Sequence, residues 1–73
     1  MIHEICKLHS RLGSDTELLI KMTRYDYECK IRKEDRIMKV DGHTLKVTRP
    51  SGEISLINTN YIMVVYYYSR VIF

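Results

Sequence analysis

The sequence has two cysteines, three glycines, one proline and no strong excess of either charge. Each scarcity excludes something. Cys6 and Cys29 are too few for the disulfide framework that holds small secreted domains together, so free thiols in a reducing cytoplasm are expected. Gly13, Gly42 and Gly52 stand singly, which leaves no glycine-rich loop to cradle a phosphate. The most apolar stretch, residues 61–73, contains Arg70 and is too short to span a bilayer. His3, Glu4 and Lys7 interrupt the start, where a signal peptide would need an apolar core. No membrane partner is therefore expected. Twelve Lys and Arg against nine Asp and Glu give a net charge of +3, mildly basic and below the excess of a dedicated nucleic-acid arm.

What is present is a pattern. The 73 residues are 45% hydrophobic, enough for one domain over 1–73. A chain this short buries only about 60% of its unfolded surface, so subunit assembly is one way to add buried area. Ile2, Ile5, Leu8 and Leu12 recur at helical spacing before Gly13, which predicts a short amphipathic helix within 1–13. From there on the period is two. Leu18, Ile20 and Met22 alternate with polar or outward residues, then Tyr25, Tyr27, Cys29 and Ile31 do the same. Residues 32–36 are a charged break. Asp41-Gly42 and Arg49-Pro50-Ser51-Gly52 read as hairpin turns, and Asn58-Thr59-Asn60 interrupts the chain before a last strand at 61–68.

Three registers follow if the turns are two residues long. A turn at Arg24-Tyr25 sets Met22 against Tyr27, Ile20 against Cys29 and Leu18 against Ile31. One at Asp41-Gly42 sets Val40 against His43 and Met38 against Leu45. One at Pro50-Ser51 sets Val47 against Ile54 and Leu45 against Leu56. In each, apolar residues share a face, and a slip of one residue would move them to the other. The predicted fold is mainly β: a short N-terminal helix, then a five-stranded antiparallel meander over 16–68 that forms a small Sm-like or SH3-like barrel.

This layout resembles the Sm-like, Hfq-type small barrels. A helix precedes the strands, Asn58-Thr59-Asn60 stands where that family turns between strands four and five, and Asp35 falls where it places an acidic residue before strand three. Its glycine after strand one is replaced here by Arg24-Tyr25-Asp26, and its Lys-His pair before strand five by Thr59-Asn60. The resemblance therefore implies the fold and a tendency to form rings, and carries no RNA-site residues across.

The chemistry-bearing residues are few. His3, Cys6 and His9 recur at three-residue spacing, with His43 as a conceivable fourth ligand. Steps of three residues drift by about 60° around a helix, so His3 and His9 point apart and no metal site is expected. Glu34-Asp35 lies between Lys33 and Arg36 and reads as a solvated charged turn. No nucleophile and base can be placed together, so neither enzymatic activity nor a cofactor is expected. Basic residues gather in the middle of the chain. On the registers above, Lys39 and Lys46 share one face, and with Arg36 and Arg49 they are the candidate contacts for nucleic acid. Of the six tyrosines, Tyr25 and Tyr27 are expected in the core. Tyr61, Met63, Val65 and Tyr67 on the last strand are the candidate interface between copies, because an uncovered apolar edge aggregates.

Two functions compete. One is a non-enzymatic homo-oligomer, possibly ring-shaped in the manner of the family it resembles, that binds nucleic acid, RNA before DNA, or a nucleotide. The other is a small interaction protein of viral or mobile-element type that inhibits a partner protein by adding its last strand to the partner's edge.

Overall fold

The structure, a computed structural model, describes residues 1–23 and 27–69. Its helix α1 (Ile2–His9) buries Ile2 and Ile5 and ends earlier than Gly13. Ser10 closes it: its hydroxyl donates to the Lys7 carbonyl at 2.6 Å. Arg11 and Leu12 then make tight i to i−3 bonds to Leu8 and His9. Leu12 still reaches the core.

Six strands follow, not five: β1 (Thr16–Met22), β2 (Glu28–Arg32), β3 (Arg36–Lys39), β4 (Thr44–Thr48), β5 (Ile54–Asn58) and β6 (Ile62–Ser69). The charged break at 32–36 is a true turn that separates β2 from β3. A short 3-10 turn (Thr59–Tyr61) precedes β6, with the Asn58 side chain accepting from the Asn60 amide. The strands form two antiparallel sheets, in the orders β2-β1-β6 and β3-β4-β5. The expected meander is broken between β2 and β3, which do not pair, while the last strand returns to pair with the first. Among the described residues no ladder joins the two sheets, so they do not make a closed barrel.

The first sheet has the predicted register. Leu18 faces Ile31 and Ile20 faces Cys29, and Met22 N donates to the Tyr27 carbonyl at 3.0 Å. The turn expected at Arg24-Tyr25, and Tyr25 itself, lie outside the described residues. Tyr27 is not in the core: it sits before β2 begins, beyond the part of the sheet that is covered, and is 49% exposed.

The second sheet differs from the prediction by one residue in both hairpins. Ile37 pairs with Val47 and Met38 with Lys46, while Leu45 pairs with Ile57 and Lys46 with Leu56. The reason is loop length. Val40 N bonds to the Thr44 carbonyl, so the first loop has three residues; Asp41 Oδ1 holds it by accepting from the His43 amide at 2.8 Å. In the second, Gly52 N closes a turn onto the Arg49 carbonyl, and Arg49 N reaches the Glu53 carbonyl. Gly52 there has φ +94, the left-handed residue of a three-residue hairpin loop. One extra loop residue exchanges the faces of the outer strands. Ile37 and Ile57 turn inward, while Met38, Ile54 and Leu56 turn out.

One core results. Ile2, Ile5 and Leu12 from the N-terminal segment join Leu18, Ile20, Cys29 and Ile31 of the first sheet and Leu45, Val47 and Ile57 of the second. No helix among the described residues is long and apolar enough to cross a membrane.

Candidate functional site

The densest polar cluster lies where the β2–β3 turn meets the end of β4. Asp35 N bonds back to the Arg32 carbonyl at 3.1 Å, and Asp35 Oδ2 accepts from the Arg32 amide at 2.8 Å. The carboxylate thereby locks its own turn. Arg49 then donates through Nη1 to Asp35 Oδ2 and to the Lys30 carbonyl, each at 2.5 Å, and through Nη2 to Cys29 Sγ at 3.6 Å. From the helix, His9 Nε2 donates to the Asp35 carbonyl at 2.9 Å and the Arg32 carbonyl at 3.3 Å. Asp35 is buried, so the turn is not simply solvated as expected, while Lys33, Glu34 and Arg36 around it are exposed. Burial pushes the Cys29 thiol above its ordinary range despite the adjacent Arg49. Burial also works against the Arg49 guanidinium, but its bond to Asp35 prevails and holds its charge more firmly.

A second buried carboxylate, Glu17, sits in β1. It accepts from Arg32 Nε at 3.2 Å and from the Tyr68 hydroxyl. Burial raises its pKa, but the bonds from Tyr68 and Arg32 outweigh that and hold it below 4.5. A lowered carboxylate stabilises the fold above its unfolded pKa, and that contribution disappears as pH falls through the folded value. In urea titrations the wild type is expected to lose more stability than Glu17→Gln between about pH 5 and pH 3. Parallel losses would show that Glu17 is not held as charged.

The four candidate nucleic-acid contacts do not form one site. Arg36 and Lys46 share the outer face of β3-β4-β5 with Met38. Lys39 pairs with Leu45 and so belongs to the opposite face, contrary to the shared face expected for Lys39 and Lys46. Arg49 is the brace just described. The candidate interface residues are similarly scattered. Met63 is exposed. Val65 packs on the core opposite Ile20. Tyr67 donates its hydroxyl to the Arg11 carbonyl at 3.0 Å. The Tyr61 carbonyl, in the 3-10 turn, accepts from Thr23 N at 2.7 Å. Among the described residues no three His, Cys, Asp or Glu side chains gather as a metal site would require.

Basic and tyrosine residues outside the four candidate nucleic-acid contacts gather on the outer face of β2-β1-β6. Lys21 Nζ stands 5.9 Å from the centre of the Tyr66 ring and 3.5 Å from Glu28. A shallow hollow of about 470 Å³ is lined by Leu19, Lys21 and Tyr66 to Tyr68. Beside β2, a cleft of about 360 Å³ is lined by Lys30, Arg32, Glu34, Asp35, Arg49 and Pro50. The signal for the cleft was present in the alternation of Lys30 and Arg32 with Cys29 and Ile31.

Compared with protein-family models, curated proteins and solved structures, the chain matches none.

Proposed function

We propose that this chain is a non-enzymatic Sm-like small β domain that assembles with copies of itself and binds nucleic acid. The observation that carries this reading is the strand layout. An N-terminal helix, two three-stranded antiparallel sheets in the orders β2-β1-β6 and β3-β4-β5, and a 3-10 turn before the last strand are compatible with a small barrel-like fold of that kind. The layout leaves β2, β3, β5 and β6 each paired on one side only among the described residues, with Leu56 on β5 and Met63 on β6 among the exposed apolar side chains. Open edges on different strands favour a head-to-tail contact, which closes into a ring when its rotation permits. The net charge of +3 supports a polyanionic ligand, as do Arg36, Lys39 and Lys46, which make no ion pair among the described residues. Repetition around an oligomer multiplies such weak contacts.

Native mass spectrometry is expected to show more than one copy of the wild type. Leu56→Lys, at a position 66% exposed, is expected to leave folded monomers. A wild type that is monomeric overturns the assembly. Binding to a labelled single-stranded oligonucleotide, with about three phosphate contacts, is expected to weaken about 20-fold between about 50 and 200 mM salt. Absence of binding at low salt overturns the ligand class.

A further inference from the structure

The outer face of the first sheet is ordered in rows. Leu18 and Ile20 are fully buried, so Glu17, Leu19 and Lys21 of β1 point the other way. Their register partners complete three rows across the sheet: Arg32-Glu17-Tyr68, Lys30-Leu19-Tyr66 and Glu28-Lys21-Val64. In two of the three rows a cation stands on β2 and a tyrosine on β6; in the third, Glu28 on β2 pairs its charge with Lys21 and Val64 stands on β6. The aromatic hollow lies at one margin and the cationic cleft at the other, and Leu19, which lines the hollow, is the direct partner of Lys30, which lines the cleft.

We propose that this face binds single-stranded nucleic acid, with bases stacked at Tyr66 and its hollow and phosphates held on the Lys30 and Arg32 side. The proposal rests on the nucleic-acid reading above and gives it a place other than the Arg36 and Lys46 face. Three features carry it. Tyr66 is 47% exposed, so its ring is available to a base. Lys30 is exposed and bonded to no acid side chain among the described residues. Of the carboxylates nearby, Glu17 and Asp35 are each matched by their own arginine and Glu28 by Lys21, which leaves Glu34 at the cleft as the acid set against its three cations, Lys30, Arg32 and Arg49. Geometry agrees. Alternate residues on a strand lie about 6.8 Å apart, so Lys30 and Arg32 are spaced to meet successive phosphates of an extended strand. The β2 and β6 columns are about 9.6 Å apart across β1, which separates a stacked base from its backbone. Every base has an aromatic face, so the site is expected to tolerate most sequences. A duplex hides those faces and cannot use the hollow. An apolar protein segment would fill the hollow but leave the cation column unmatched.

The test is fluorescence anisotropy of the full chain with labelled ten-nucleotide oligo-U, oligo-dT and a duplex of equal length. Both single strands are expected to bind at least ten-fold more tightly than the duplex, and the two arms report whether the ribose hydroxyl matters. Tyr66→Ala is expected to weaken binding about ten-fold with the salt slope unchanged, because stacking releases no counterions. Lys30→Gln is expected to weaken it several-fold and flatten the salt slope by about 0.7. Both side chains are exposed, and unaltered thermal melts will show that the variants fold. An Arg36→Gln, Lys46→Gln double variant is expected to weaken binding less than Lys30→Gln alone, as general charge loss away from the site would. Loss of binding in that double variant, or none in Tyr66→Ala, overturns this placement while leaving nucleic-acid binding intact. Equal affinity for duplex overturns the stacking site. No binding by the wild type to any probe overturns this site and the reading beneath it.

Discussion

Asp35→Asn is expected to lower the unfolding free energy by about 3 kcal/mol, the low end for breaking a buried ion pair. The Asp35 side chain is 4% exposed and that of Arg49 24%, so water partly relieves the stranded guanidinium and the upper end does not apply. Asparagine keeps an oxygen for the Arg32 amide but removes the charge that Arg49 faces. Alanine removes both and is expected to cost more, since the orphaned amide adds about 1 kcal/mol or more. A domain of this length has only about 4–11 kcal/mol in total, at about 0.05–0.15 kcal/mol per residue. The loss is therefore a large share, and the melting temperature is expected to fall by about 12–24 °C. Urea unfolding followed by circular dichroism measures it. Asp35→Leu combined with Arg49→Met is expected to recover much of the stability, because an apolar pair leaves no uncompensated charge. A change below about 0.5 kcal/mol in Asp35→Asn, the usual range for a surface substitution, would mean that the pair does not brace the sheets. The consequence reaches the surface. The Arg49 bonds tie the end of β4 to Cys29 and Lys30 of β2, where no ladder does so, and they shape one wall of the cationic cleft.

That brace was not legible in the sequence, although both of its residues stood out there. Arg49 was read as a contact for nucleic acid and Glu34-Asp35 as a solvated turn, because a run of alternating charges carries no sign of which member is buried. The difference between Glu34 and Asp35 is one of reach. The shorter carboxylate bends back onto the Arg32 amide, and from there it meets an arginine brought by a strand that the turn itself positions. Glu17 was hidden in the same way. Strand alternation places it on the outer face, but its burial comes from Arg32 and Tyr68, two strands' worth of long side chains folded over it. The first sheet, in contrast, was readable down to its pairs. Leu18, Ile20, Cys29 and Ile31 are flanked by charged or polar residues at nearly every intervening position, and only one register buries all four. The return of β6 to β1 is a long-range choice with no local signal.

The second sheet allows a sharper test, because two registers make opposite claims about neighbouring residues. With two-residue turns, Met38 would face Leu45 in the core. With the three-residue loops observed, Met38 is 54% exposed beside Lys46, and Leu45 is fully buried opposite Ile57. Leu45→Ala is expected to cost about 2–5 kcal/mol from lost transfer energy and the cavity left behind. Met38→Ala is expected to stay within about 0.5 kcal/mol. Ile37→Ala should fall between them, since Ile37 is half-buried against the core. Denaturant midpoints of the three variants decide the matter. Comparable losses for Met38→Ala and Leu45→Ala would restore the two-residue turn of the β3–β4 hairpin and return Met38 to the core. The β4–β5 hairpin has its own loop, and the same slip there would hide Ile54 and Leu56 and leave the assembly proposed above without its exposed apolar strand. The loop residue that sets the register thus also decides which apolar side chains are left for a second copy to cover. Gly52, at φ +94, is where that residue is accommodated.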